Sequence, residues 1–193
     1  MGYQYISVIG QDSHRFSADP ARPLMLGGCL IPDSPGLDGN SDADVILHAV
    51  TNAISGYTGL NILGARADAA CRRGLKDSRV YLQMALEDLA AGSQSQASLW
   101  HCSLTLEASR PRLAPHIDRI RTKLAELLGL RPAQIGLTAT SGEGLSAAGS
   151  GEGMACFCCL TIRLPEPEPD LRSRAPGGAA SGARSGEPFA GAD

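Results

Sequence analysis

The sequence predicts an α+β fold in one domain: a mixed, mostly antiparallel sheet with helices on one face. Three patterns carry that expectation. Trp100, Cys102, Leu104 and Leu106 alternate with His101, Ser103, Thr105 and Glu107, the period of a half-buried antiparallel strand. After Pro115, Ile117, Ile120, Leu124, Leu127 and Leu128 fall at helical spacing up to Gly129. In the last apolar stretch both parities are apolar, Met154-Cys156-Cys158-Leu160 against Ala155-Phe157-Cys159, so both faces of the final strand need cover. Helices can take one face, and another subunit is expected on the other.

The other elements follow in chain order. A first strand is expected over residues 3–11 and a second over 23–31, where Gly27-Gly28 marks a bulge or a close backbone approach. Ser41-Asp42-Ala43-Asp44 has capping-box spacing ahead of Val45, Ile46, Ala49, Val50, Ala53 and Ile54, so a helix should begin near Ser41 and end at Gly56. A second helix follows Asp77-Ser78, with Leu82, Leu86 and Leu89 on one face, and stops at Gly92. The last strands are expected over 134–140 and 154–164. From Pro165 the chain holds five Pro, five Gly and six Ala with one Phe and one Leu, too little apolar surface to offset ordering. Residues 1–164 are therefore read as the domain and 165–193 as a disordered tail.

Composition narrows the partners. Among 193 residues, 17 basic and 20 acidic side chains give a net charge of −3, so no basic surplus is present to hold nucleic acid or an anionic membrane. No apolar run approaches the roughly 20 residues needed to span a bilayer, and the N-terminus lacks a basic segment followed by an apolar one. A soluble cytosolic protein with its six cysteines reduced is expected. Cys156, Cys158 and Cys159 read as core, with a metal clip as the alternative for a pair two apart.

Four groups of residues point to chemistry. Asp12 and His14, two apart on a strand, face one side, and His48 lies one turn into the first helix. One carboxylate and two imidazoles supply three ligands of tetrahedral zinc and leave the fourth position to a substrate oxygen; a core histidine donating one hydrogen bond is the alternative for His48. Asn40-Ser41 stands at a helix start, a place that favours an anion such as phosphate, or serves as a simple cap. The segment TATSGEGLSAAGSGEG, residues 138–153, carries five glycines and Glu143, a ligand type for a hard cation such as Mg2+, or else is an ordinary hairpin loop. Arg110-Pro111-Arg112 sets two guanidinium groups where a diphosphate can be held, unless both are only solvated charge. His101 and His116 have no convergent partner and read as structural.

Taken together, IGQDSHRF at 9–16, PLMLGGCLIP at 23–32, NSDADVILHA at 40–49, KDS at 76–78, RPRLAPHI at 110–117 and TATSGEGL with GEGMAC within 138–156 resemble the 2-C-methyl-D-erythritol 2,4-cyclodiphosphate synthase family. These are the cyclases of the non-mevalonate isoprenoid pathway, and the resemblance covers residues 6–162. It implies a homotrimer with sheets facing inward around a threefold axis and active sites between neighbouring subunits. A bacterial cytoplasm is expected rather than a plastid, because few residues precede the first strand and no transit segment is seen. The resemblance implies Asp12, His14 and His48 as ligands of Zn2+ and Glu143 as the holder of Mg2+ or Mn2+ on the substrate diphosphate. Substrate contacts fall to Asp12, Ser13, His14, Asn40 and Ser41, and the methylerythritol to Ile62, Leu63, Gly64 and Asp68. The cytidine diphosphate pocket falls to Ala108, Arg110, Arg112, Thr140, Ser141, Gly142 and Glu143, with Asn40 and Ser141 in the catalytic positions.

The implied reaction is intramolecular phosphoryl transfer, in which the 2-phosphate of a cytidyl diphosphate substrate attacks the β-phosphorus and CMP leaves. Several positions depart from the family pattern: Asn40 replaces a histidine, Arg112 a lysine, Ser141 a threonine, Ala147 an aromatic residue and Ser150 an arginine. Ile62 stands where an aspartate is expected, with Asn61 as its alternative. Two rivals are a non-catalytic zinc-containing trimer that binds cytidine or isoprenoid diphosphates, and a zinc hydrolase with Asp68 as base.

Overall fold

A computed structural model describes residues 2–92 and 96–166. Its strands are β1 (Tyr3–Arg15), β2 (Leu24–Leu26), β3 (Cys29–Ile31), β4 (Ser98–Glu107), β5 (Ile135–Thr140) and β6 (Gly153–Pro165); its helices are α1 (Val45–Thr58), α2 (Ala65–Arg72), α3 (Ser78–Ala91) and α4 (Ile117–Leu128). The main sheet has the order β1-β6-β4-β5. β6 runs antiparallel to both β1 and β4, while β5 joins β4 in parallel after the α4 crossover, so the sheet is mixed and mostly antiparallel. Among the described residues, no helix is long and apolar enough to cross a membrane.

One face of the sheet makes the core. Cys102, Leu104 and Leu106 of β4 and Cys156, Cys158, Leu160 and Ile162 of β6 are buried against Val50, Ala53 and Ile54 of α1 and the rest of the helical layer. The opposite parity is bare in the single chain: Ile9 is 75% and Phe157 49% exposed. Cys159 shares that bare face, which corrects its reading as core. Trp100, expected inward, is 39% exposed because the β4–β6 register shifts between Leu99 and His101.

The hairpin and the helix starts also differ from expectation. Gly27-Gly28 is the two-residue turn joining β2 to β3, with both φ values positive (60° and 77°), rather than a bulge in one strand. α1 begins at Val45, not near Ser41; its cap is Asp44, and it ends at Gly59 in the left-handed region rather than at Gly56. The Asp44 carboxylate is fully buried and accepts four backbone N–H groups, from Gly27 (2.8 Å), Gly28 (2.7 Å), Ile46 (3.2 Å) and Leu47 (3.1 Å). Burial pushes its pKa up against the pull of those donors. One side chain thus ties the β2–β3 turn to the start of α1.

α3 and α4 form where their apolar periods predict them: Asp77 caps α3, and Gly129 closes α4 in the left-handed region. α2 has no counterpart in the sequence reading, because only Ala67 and Ala70 of it are buried and such a stripe gives no apolar period. β6 runs one residue past the expected boundary, since Pro165 pairs with Tyr3. Residues 167–193 of the expected tail lie outside the described residues.

Because charge-assisted hydrogen bonds contribute roughly 1.5–3 kcal/mol each, Asp44→Ala is expected to lower stability by about 3 kcal/mol or more. Urea unfolding of the two proteins measures this, and a loss under about 1 kcal/mol contradicts the tie.

Candidate metal centre

Period two along β1 turns Asp12 and His14 toward the face that α1 covers, and His48 comes down from the first turn of α1 to meet them. Asp12 Oδ2 lies 2.9 Å from His14 Nε2 and 2.9 Å from His48 Nδ1, and the two imidazole nitrogens are 3.2 Å apart. The other nitrogen of each ring has its own partner. His14 Nδ1 is 2.7 Å from the Asp38 carbonyl oxygen, which only accepts, so in the neutral ring Nδ1 carries the hydrogen and Nε2 presents its lone pair to the cluster. His48, 7% exposed, turns Nε2 to the Ser78 hydroxyl at 2.8 Å and the Ser41 hydroxyl at 3.4 Å. It is therefore more than a core histidine with one hydrogen bond.

These three atoms fit a divalent cation. Bonds of roughly 2.0–2.1 Å to tetrahedral zinc place neighbouring ligand atoms roughly 3.3 Å apart, close to the spacing already present. Burial alone would push the Asp12 carboxyl up, but hydrogen bonds and charge from His14 and His48 outweigh it and bring it down to about 2. Burial likewise lowers the His14 pKa, and Asp12 with the Asp38 carbonyl outweighs it, leaving His14 raised above its ordinary 6.5. The pocket thus prefers positive charge. Asp12, His14 and His48 are the one group of this kind among the described residues.

A cavity of about 210 Å³ opens on the triad and is also lined by Asn40, Ser41, Leu63, Gly64 and Asp68. Ala67 and Cys71 of α2 and Tyr81 of α3 complete it, and no sequence signal flagged them. Ile62 does not line it: its side chain is fully buried and its N–H reaches the Ser55 hydroxyl at 3.4 Å. Ser13 has the opposite parity and lines a second cavity of about 420 Å³ with Gln11, Glu107, Ala147 and Phe157. The start of α1 is no anion site, because Asp44 already takes the N–H groups of Ile46 and Leu47.

The remaining predicted residues sit apart from the triad cavity, near the ends of β4 and β5. Ala108 N donates to the Thr140 carbonyl at 3.0 Å, and the Ser141 hydroxyl donates to Glu143 Oε1 at 3.0 Å. Gly142 and Glu143 both have positive φ, 64° and 50°, in a single 3-10 turn after β5. The Arg110 guanidinium stacks 4.4 Å over the Phe16 ring, and Arg112 follows on the same loop. Within one chain these residues do not line the triad cavity, although His14 also borders the second cavity beside Glu107 and Ala147.

The chain is similar to known proteins over most of its length. The model of the YgbB family matches residues 6–163. The 2-C-methyl-D-erythritol 2,4-cyclodiphosphate synthase of Chlamydia muridarum is 44% identical over 141 residues, 72% of this chain and 77% of that protein. Among solved structures, the bifunctional IspDF from Campylobacter jejuni superposes with a TM-score of 0.73 at 28% identity, over 85% of this chain and 43% of its own longer one. A 2C-methyl-D-erythritol-2,4-cyclodiphosphate synthase in its CDP-bound form gives a TM-score of 0.70 at 32% identity, over 81% of this chain and 99% of that one.

The raised His14 pKa sets the sign of a pH effect. In the metal-free protein the protonated ring adds stability that is fully present below pH 6.5 and fades as pH rises through the raised value. A cation needs the Nε2 lone pair and must displace that proton, so stabilisation by zinc grows with pH. The gap in melting temperature between zinc-loaded and chelator-treated protein is expected to widen from about pH 6 to about pH 8. An unchanged gap contradicts the triad as the binding site.

Proposed function

The chain belongs to the YgbB family, and on that footing we propose that it converts 4-diphosphocytidyl-2-C-methyl-D-erythritol 2-phosphate to 2-C-methyl-D-erythritol 2,4-cyclodiphosphate and CMP. It is a phosphorus-oxygen lyase of isoprenoid precursor biosynthesis. The observation that carries this reading is the convergence of Asp12, His14 and His48 on one cavity. Those three would hold Zn2+ and Glu143 would hold Mg2+ or Mn2+, supplying Lewis-acid polarisation of the phosphate oxygens.

The chain's own groups then act by placement. Attack of the 2-phosphate on the β-phosphorus needs no protein nucleophile, only a substrate folded so that its two ends meet. The Asn40 amide and the Ser41 hydroxyl at the cavity wall donate to the 2-phosphate; Asn40, unlike a histidine, moves no proton. Leu63, Gly64 and Asp68 receive the methylerythritol, beneath the α2 wall. Ala108, Arg110, Arg112 and the turn from Thr140 to Glu143 hold the cytidyl diphosphate. Ser141 lends a hydroxyl to the charge that develops on transfer.

The site is completed between subunits of a homotrimer. Two features support this: the Glu143 turn does not line the triad cavity of its own chain, and the Ile9–Phe157 face of the sheet is bare. CDP in the bound form of a related synthase supports the cytidine diphosphate assignment. A bacterial cytoplasm is the proposed location. The binding-only trimer has no observation in its favour. Asp68 does line the cavity, so the hydrolase reading has its base in place.

Turnover followed by phosphorus NMR is expected to yield CMP and the cyclic diphosphate in equal amounts. His48→Ala and Glu143→Gln should each lower the rate by about 100-fold or more. Near-normal phosphate release by Glu143→Gln without cyclic product would instead mark a one-metal hydrolase.

A further inference from the structure

We infer that Ser78, held by Asp42, is a positioning residue that fixes His48 in the tautomer whose Nδ1 lone pair points at the metal. The inference rests on the reading of Asp12, His14 and His48 as ligands. Ser78 is the first residue of α3, its side chain is fully buried, and its hydroxyl lies 2.8 Å from His48 Nε2. A hydroxyl so placed can donate to that nitrogen or accept from it.

Asp42 decides the direction. Its two carboxylate oxygens each lie 3.2 Å from the Ser78 backbone nitrogen, and Oδ1 also receives the Ser78 hydroxyl. A carboxylate only accepts, so the hydroxyl hydrogen is committed to Asp42 and Ser78 Oγ is left as an acceptor. His48 Nε2 must then carry the hydrogen, and Nδ1 keeps its lone pair toward Asp12 and His14.

The competing arrangement is close at hand. With the hydrogen on Nδ1, His48 would donate to Asp12 Oδ2 at 2.9 Å, a satisfied pair that closes the site to a cation. Ser41 is the poorer partner: its hydroxyl is farther from Nε2, at 3.4 Å, and one of its two lone pairs is already taken by the Ala43 N–H at 3.0 Å. Asp42 is itself anchored, donating its backbone N–H to the Lys76 carbonyl at 2.8 Å, so the loop before α1 and the start of α3 are held in register. The relay Asp42–Ser78–His48 joins segments far apart in sequence and ends at the metal-facing nitrogen.

The test measures zinc Kd on the full chain by competition with a chromophoric chelator, alongside urea unfolding. Ser78→Ala is expected to weaken zinc binding by about 10- to 100-fold, the usual cost of losing such a partner, and Ser78→Thr to restore it. Asp77→Ala removes the cap of α3 without touching His48 and is expected to leave Kd unchanged. If Ser78→Ala does not fold, Asp42→Ala, which keeps the hydroxyl but frees its hydrogen, carries the same expected weakening. A Kd for Ser78→Ala within about twofold of wild type, or an equal loss in Asp77→Ala, overturns the inference. Failure of the wild-type chain to bind zinc overturns the metal centre and the inference with it.

Discussion

The close approach of α1 to β1 at Gly10 is the constraint on which the site depends. A Cβ at Gly10 would stand 2.0 Å from the Ala49 carbonyl oxygen and 2.4 Å from the Ala53 nitrogen, so only glycine lets the helix backbone lie directly on the strand. Ala49 follows His48, and Gly10 precedes Asp12 by the strand's period of two. The contact that seats α1 therefore also sets the distance between the Asp12 carboxylate and the His48 ring. Side chains alone, with their freedom to rotate, would not hold three ligand atoms within 3.2 Å of one another.

Around that contact the fold commits its buried polar groups. Asp44 satisfies the start of α1 and the β2–β3 turn at once, which leaves the loop before it free to carry Asn40 and Ser41 to the cavity wall. Asp38 and Ser78 occupy the outward nitrogens of the two histidines, so each ring has a defined orientation. The negative pole of the cluster is Asp12, held ionised by the imidazoles beside it. A cation is the species that this arrangement best accommodates, and the cavity leaves one side of the triad open.

Much of this was legible in the sequence, and what was missed has physical causes. The parity of Asp12 and His14 follows from the strand period, and α4 follows from an amphipathic stripe bounded by proline and glycine. Local spacing points to Ser41 as the cap of α1, whereas Asp44 is chosen by a turn seventeen residues earlier that no local window contains. α2 buries only alanines and so leaves no apolar period in the sequence, and Ile62, which the resemblance puts at the site, has a side chain that completes the core. Ser78 looked like an ordinary helix start; its role is visible only once α3 lies beside α1. The two-sided apolar pattern of β6 did announce a sheet face that one chain leaves bare.

Whether Asp12, His14 and His48 hold the metal is read from the zinc K-edge X-ray absorption spectrum of the zinc-loaded full chain. Zinc held by the triad should have nitrogen and oxygen neighbours at roughly 2.0–2.1 Å, with the multiple-scattering signature of two imidazoles. Sulfur at roughly 2.3 Å, or one imidazole or none, would contradict it and move the metal from Asp12, His14 and His48 to the cysteines or elsewhere.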